Sequence, residues 1–239
     1  RTDGGYLVSA HKRFCSQAPA GDMLVTSAPF QDAERGWEVL HFPVPMSAAG
    51  VTVLNDWRTL GMRGTGSNTV KLENVFVPDA AIVLRRPRGA YHPVWNVVLT
   101  LAMPLIMSVY VGIAQKAAAL TIARIRRKKT AKSNVAHLVG EMNNDLVAAE
   151  IQLSDMLRIA NNYDFEPIDQ NGQDILTRKT NVANAAIRVV TKAMEIVGGE
   201  GFYRDLGLER LFRDIQGARY HPLPENEQAK FSGEYLLRD

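Results

Sequence analysis

The sequence predicts an α+β protein in which an antiparallel β-sandwich or barrel over residues 1–89 precedes an up-down, four-helix-type bundle over residues 90–239. In the first half, short apolar runs are separated by turn residues, which is typical of antiparallel strands. In the second half, apolar residues recur every three or four positions over long stretches, which is typical of amphipathic helices. The composition, 46% hydrophobic and 22% charged, excludes disordered, collagen-like and coiled-coil chains.

The β-domain is expected to contain short strands over residues 11–16, 23–26, 37–42, 51–54 and 70–77. The last of these runs has apolar residues at Val70, Leu72, Val75 and Val77. Its alternation slips once, which indicates a β-bulge. Beyond it, Pro78 and the Pro87-Arg88-Gly89 turn close the domain as a linker.

The bundle is expected to contain long helices over residues 93–129 and 136–162, a third from Asp174 to the Gly198-Gly199 pair, and short helices over residues 208–218 and 224–237. Pro104 is expected to kink the first helix. Asp174 is the expected N-cap of the third, and the two glycines are its expected C-terminal cap. The buried face predicted for the third helix consists of Val182, Ala185, Val189, Ala193 and Ile196.

One segment has the length of a membrane span. Residues 97–115 contain no charged side chain. However, Pro104 interrupts the segment, and basic residues flank it on both sides, so that no positive-inside asymmetry exists. The segment is therefore predicted to be a buried bundle helix, and no membrane span is expected.

Charge and cysteine content give weaker constraints. The net charge of +3 is too small to indicate a nucleic-acid-binding protein. The single cysteine, Cys15, cannot form an intrachain disulfide, so a cytoplasmic location is expected. The polar first residues do not resemble a signal peptide, and the missing initial Met indicates a chain cut from a longer protein.

Candidate chemistry is sparse when the residues are taken alone. The basic run from Arg124 to Lys132 is either a solvated helix end or a phosphate clamp. Residues 198–202 are rich in glycine but follow a helix, so they do not match a dinucleotide-binding loop. The histidines have no metal-ligand spacing, so no metal site is predicted. His221 stands alone in a loop after the bundle helices.

Several motifs together resemble those of the acyl-CoA dehydrogenase family over nearly the whole chain. Residues 60–67 read LGMRGTGS and residues 75–78 read VFVP, which is similar to the family's LGMRGTxS and VxVP signature. Residues 111–117 resemble its GxAQxA helix, and residues 194–214 resemble its GGxGF segment with the ERLxRD that follows. Residues 11–16 resemble its Gly-x-Lys-x-Trp-Ile-Thr strand.

The resemblance implies a flavoprotein with FAD between the β-domain and the bundle, assembled as a homodimer or homotetramer. The family's N-terminal helical part has no counterpart in these residues. Phe14 takes the place of the flavin-stacking Trp, and Ser16, after Cys15, takes the place of a Thr that contacts the flavin. The resemblance places five further residues at the cofactor: Lys128 and Thr130 in an altered pyrophosphate turn, and Glu195, Gly198 and Gly199 at the FAD of the partner subunit.

The implied reaction is α,β-desaturation of an acyl-CoA thioester, a step of fatty acid metabolism, with hydride transfer to FAD. The family's base is a carboxylate in the loop after the RD motif, and here His221 or Pro222 stands in its place. His221 is therefore the candidate catalytic residue. Two alternatives stay open: a flavin-dependent monooxygenase of the same fold, which requires no such carboxylate, and a non-catalytic fragment without FAD.

Overall fold

A computed structural model describes residues 1–128 and 134–238. The chain divides into two compact units, which we call the β unit and the helical unit. The β unit consists of Arg1–Thr59 with Arg63–His92, and the helical unit consists of Leu60–Met62 together with the chain from Pro93 onward. The α+β class with a C-terminal helical bundle is therefore confirmed.

The β unit is built from two three-stranded antiparallel sheets. One has the strand order β1-β5-β4 and the other has the order β2-β3-β6. The strands are β1 (Gly5–Lys12), β2 (Met23–Asp32), β3 (Gly36–Pro45), β4 (Val51–Val53), β5 (Val70–Pro78) and β6 (Leu84–Pro87). Their apolar residues form one core that includes Phe42, Val44, Val70, Leu72 and Val77.

The predicted bulge is confirmed, whereas the strand predicted over residues 11–16 is wrong. Val8 lies opposite Val75 and Ala10 lies opposite Leu72, so β5 contains one extra residue at this point. The strand near residue 11 begins at Gly5 and ends at Lys12. Beyond it, Phe14 has a φ of 59°, and a left-handed backbone cannot continue a strand.

The helical unit contains α1 (Val94–Arg126), α2 (Val135–Ala160), α3 (Asp169–Val197), α4 (Leu208–Ile215) and α5 (Glu225–Leu236). Its core combines small and medium-sized side chains from the first three helices, among them Met107, Ala114, Met142, Met156 and Val189. The buried face predicted for α3 is confirmed, since all five of its residues are buried. Alanines at the contacts let helices approach closely at native packing density.

The start of α3 differs from the prediction. The helix begins at Asp169, and Ile168 precedes it without a side-chain cap. Asp174 lies inside the helix, where its carboxylate accepts a hydrogen bond of 3.0 Å from Arg178 instead of capping the first turn. The end of α3 at Gly198 agrees with the prediction, since this residue has a φ of 73° that favours glycine.

Helix α1 is long and apolar enough to cross a membrane by length and composition, with a mean hydropathy of 2.2 over its most apolar window. Of that window, 44% is buried inside the protein. Core helices of soluble proteins meet the same criterion.

Candidate functional site

Two loops of the β unit that are distant in sequence lie side by side. The Cys15 amide donates to the Asn68 carbonyl oxygen over 3.3 Å, and the Gln17 amide donates to the Thr65 carbonyl oxygen over 2.8 Å. These backbone hydrogen bonds join the loop after β1 to the loop before β5. The first loop carries the residues at which the resemblance places the flavin.

Phe14 is held in an unusual conformation within this loop. Its left-handed φ of 59° is sterically unfavourable for a residue with a Cβ, by roughly 1–2 kcal/mol. Its side chain is 74% exposed and meets Trp57 edge to face, with 6.2 Å between the ring centroids. Backbone strain combined with an exposed aromatic ring is a feature of ligand sites. The contact between Trp57 and Phe14 could not be predicted, because nothing in the local sequence around Trp57 indicates it.

A chain of hydroxyl groups begins next to Phe14. Ser16 Oγ lies 3.0 Å from Ser67 Oγ, and Ser67 Oγ lies 2.7 Å from Thr65 Oγ1. Ser67 is buried and Ser16 is exposed, so the buried Ser67 hydroxyl orients the exposed hydroxyl of Ser16. The LGMRGTGS motif contains Thr65 and Ser67, but their position next to Ser16 depends on the fold.

Cys15, between Phe14 and Ser16, is not suited to contact a ligand through its thiol. Its thiol donates to the Lys12 carbonyl oxygen over 3.2 Å, and burial raises the pKa of the Cys15 thiol. A thiol that stays protonated is neither a nucleophile nor a metal ligand. Within the described residues, no group of three or more His, Cys, Asp or Glu side chains could hold a metal ion.

The exposed ring of Phe14 and the exposed hydroxyl of Ser16 fit the ring system of a flavin. That ring is planar and aromatic, and its edge carries nitrogen and oxygen atoms that form hydrogen bonds. An aromatic side chain offers it a stacking surface, and a serine hydroxyl can donate to or accept from its edge.

In the helical unit, His221 is partly buried and contacts the middle of α1. The Tyr110 hydroxyl oxygen lies 2.7 Å from His221 Nε2, and the two ring centroids are 5.4 Å apart. Tyr110 is only 1% exposed. Burial, aided by the charge of Asp214, raises the pKa of Tyr110 to about 12, so the phenol stays protonated at neutral pH.

A further charged residue, Lys179, acts on this pair. Lys179, on α3, is 2% exposed, and burial lowers its pKa. Burial and the charge of Lys179 lower the pKa of His221, so its imidazole is neutral at neutral pH. Lys179 also lines a cavity of about 220 Å³ together with Thr180, Ala183, Asn184, Arg219, Pro224, Glu225 and Asn226.

Asp214 links α4 to the short segment Leu60–Met62, which belongs to the helical unit. Its carboxylate accepts a hydrogen bond of 2.6 Å from the Met62 amide. At Gly61, a Cβ would lie 2.2 Å from the Arg213 carbonyl oxygen, so only glycine allows this approach. Gly61 and Met62, at the start of the LGMRGTGS motif, therefore contact the ERLxRD motif of α4 within the helical unit.

Lys128, one of the two residues predicted to bind the pyrophosphate, forms an ion pair with Glu200. Glu200 accepts two hydrogen bonds from Arg124, at 2.7 Å and 3.0 Å, and lies 3.4 Å from Lys128 Nζ. The hydrogen bonds from Arg124 lower the pKa of Glu200 to about 2. Lys128 is therefore already paired with a carboxylate, a partner that the sequence analysis missed. Thr130 lies outside the described residues.

Glu195, Gly198 and Gly199 lie at the end of α3. Glu195 is exposed and pairs with Lys192 over 3.0 Å. Gly198 begins a 3₁₀ helix, Gly198–Phe202, and a Cβ placed on either glycine would meet no atom within 4 Å. This turn brings Glu200 to Arg124, whereas the Glu195 side chain is directed to its own helix.

Comparison with known proteins identifies relatives along most of the chain. The family model for the acyl-CoA dehydrogenase C-terminal domain matches residues 94–221. An amino sugar nitrososynthase, DnmZ, from Streptomyces peucetius is 25% identical over 99% of this chain and 60% of its own length. A putative acyl-CoA dehydrogenase, YdbM, from Bacillus subtilis is 28% identical over 93% of this chain and 58% of its own length. A dibenzothiophene monooxygenase from Rhodococcus erythropolis is 24% identical over 92% of this chain and 58% of its own length.

A solved structure has the same fold. It is that of KijD3 in complex with FMN and dTDP-3-amino-2,3,6-trideoxy-4-keto-3-methyl-D-glucose, with a TM-score of 0.88, 25% identity, and coverage of 98% of this chain and 60% of that chain. The chain thus spans about 60% of the length of the curated relatives that it matches.

Proposed function

Since this chain belongs to the acyl-CoA dehydrogenase family, we propose that it is part of a flavin-dependent monooxygenase acting on a small organic molecule. In the β unit, Phe14 and Ser16 would hold the flavin ring. In the helical unit, His221 would contact the substrate. When bound, a reduced flavin would supply the electrons that split dioxygen into one oxygen atom for the substrate and one water molecule.

The observation that carries the proposal is the hydrogen bond between Tyr110 and His221. Desaturation of a thioester needs a base that accepts the α-proton, with a pKa near the working pH. His221 Nε2 is already engaged in a 2.7 Å hydrogen bond with the Tyr110 hydroxyl, and burial lowers the pKa of His221. A histidine in this state is a poor base. Oxygen transfer does not require α-proton removal, so the arrangement favours oxygenation.

The identity of the flavin is a separate question. The family implies FAD, which needs a site for two phosphates. Lys128, which the resemblance assigns to the pyrophosphate, is paired with Glu200, and the solved relative contains FMN. We propose FAD as the cofactor, with FMN as the alternative. Fluorescence titration of the protein with each flavin distinguishes the two.

Desaturation of an acyl-CoA thioester is the second candidate. It is supported by the family match and by the relative named as a putative acyl-CoA dehydrogenase. In this case His221 would act as the base. Anaerobic mixing of the flavin-loaded protein with acyl-CoA thioesters would then bleach the flavin absorbance without any need for dioxygen.

The decisive experiment supplies the protein with flavin, a flavin reductase with its nicotinamide reductant, and isotopically labelled dioxygen. Amino sugars, sulfur heterocycles and acyl-CoA thioesters serve as substrates. Incorporation of one labelled oxygen atom, lost in His221→Ala with flavin still bound, supports the proposal. Desaturated product without label contradicts it, and a colourless protein that takes up no flavin indicates a non-catalytic chain.

Assembly and location are part of the same proposal. Helices α1 and α2 expose large apolar side chains at Val98, Leu105, Val109, Val147, Ile151 and Leu157. Such surfaces mark protein interfaces, so we propose a homodimer or homotetramer, to be tested by light scattering. We also propose that α1 is a bundle helix, because Met107, Tyr110 and Ala114 on it are fully or almost fully buried. A cytoplasmic location is proposed from the single cysteine.

A further inference from the structure

Tyr110 and His221 are brought together by the packing of the bundle across 111 residues of sequence. Within the described residues, the Tyr110 hydroxyl has one hydrogen-bond partner, His221 Nε2. Tyr110 is only 1% exposed, so its hydroxyl depends on partners within the protein. An unpaired hydroxyl proton in such a place would cost the full desolvation penalty of the group.

The direction of this hydrogen bond follows from these facts. Tyr110 stays protonated, because burial raises its pKa to about 12. If His221 Nε2 carried a proton and donated it, the phenol proton would have no acceptor among the described residues. The phenol therefore donates, Nε2 accepts, and the remaining proton of the neutral imidazole is on Nδ1.

We infer that Tyr110 is a positioning residue that holds His221 in its Nδ1–H tautomer, so that His221 offers a hydrogen-bond donor, not a base, to a ligand. The consequence for catalysis rests on the proposed function, whereas the tautomer itself does not. A donor of this kind can stabilise negative charge that develops on a reacting oxygen atom.

The surroundings of the hydroxyl support a fixed position. A Cβ on Gly217 would lie 2.7 Å from the Tyr110 hydroxyl oxygen and 3.0 Å from Met62 Cγ. The hydroxyl thus occupies a space that exists only because residue 217 is glycine. Two charged groups act on the pair: Lys179 on α3 disfavours a protonated His221, and Asp214 on α4 disfavours an ionised Tyr110.

The test is nitrogen-15 NMR of His221 in protein labelled on histidine, for the wild type, Tyr110→Phe and Tyr220→Phe. Tyr220 is the matched control, because it adjoins His221 in sequence but is 77% exposed. We expect Nε2 to have an unprotonated shift in the wild type and in Tyr220→Phe. In Tyr110→Phe we expect the proton to move toward Nε2 and the pKa of His221 to rise, since a hydrogen bond to the neutral form is lost.

Protonated Nε2 in the wild type, or an unchanged tautomer in Tyr110→Phe, would overturn the inference. Gly217→Ala is a second variant that displaces the hydroxyl without removing it, and we expect it to cause the same shift. Turnover in Tyr110→Phe should fall with little change in KM, by roughly the 10–100-fold seen when the hydrogen-bond partner of a metal-ligating histidine is removed. The NMR result stands even if oxygenation itself is not observed, so the two hypotheses can fail separately.

Discussion

The Lys179 ammonium group donates a hydrogen bond of 2.8 Å to the Leu223 carbonyl oxygen within the helical unit. Leu223 lies two residues after His221, so this bond ties the loop that carries the histidine to α3. A buried ammonium group is costly unless it is hydrogen-bonded. The hydrogen bond of Lys179 therefore holds the loop in place, and the positive charge of Lys179 keeps His221 neutral.

Replacing this lysine should alter the titration of His221. In Lys179→Met the positive charge is lost while much of the side-chain volume remains, so the pKa of His221 should rise toward its usual value. Lys192→Met is the matched control, since Lys192 lies on the same helix but pairs with Glu141 and Glu195. Titration of His221 by NMR measures the effect. An identical pKa in both variants would contradict the role given to Lys179.

Glu200 should make the stability of the protein sensitive to acid. Its pKa is about 2 in the folded state and 4.5 in the reference state, so its ion pairs stabilise the fold above pH 4.5 and are lost as the pH falls toward 2. Glu200→Gln should therefore be less stable than the wild type at neutral pH, and the difference should vanish in acid. Urea unfolding across this pH range is the measurement, and a pH-independent difference would argue against the pair.

Flavin binding should depend on the exposed ring of the β unit. Phe14→Ala removes the stacking surface and should weaken flavin binding by roughly twofold to twelvefold, as expected for about 0.5–1.5 kcal/mol of aromatic contact. Val25→Ala is the control, since Val25 is an equally exposed apolar residue on β2. Flavin fluorescence titration gives both affinities. Equal flavin affinities in the two variants would show that Phe14 does not contact the flavin.

Gly61 should be intolerant of any side chain, whereas Gly64 should accept one. A Cβ at Gly61 would lie 2.2 Å from the Arg213 carbonyl oxygen, but a Cβ at Gly64 would meet no atom within 4 Å. We expect Gly61→Ala to destabilise the protein by about 1–3 kcal/mol, the range for overpacking. Gly64→Ala should be nearly neutral. Denaturant midpoints compare them, and a stable Gly61→Ala would show that α4 can shift at little cost.

The sequence by itself determined the elements that local patterns encode. Alternation of apolar residues located β5 and its bulge, and the helical repeat located α1, α2 and the buried face of α3. The Gly198 end of α3 was also predictable, because a left-handed residue after a helix favours glycine. Each of these signals arises from residues within one or two turns of each other.

Tertiary structure alone decided which side chains meet. Tyr110 reaches His221 across 111 residues, and Arg124 reaches Glu200 across 76, because helices pack side by side irrespective of their distance in sequence. Packing also overrode local signals, as where α3 starts ahead of Asp174. The tautomer of His221 and the pairing of Lys128 depend on such contacts. For that reason, the sequence could name the candidate residues, but only the fold showed the chemistry they can perform.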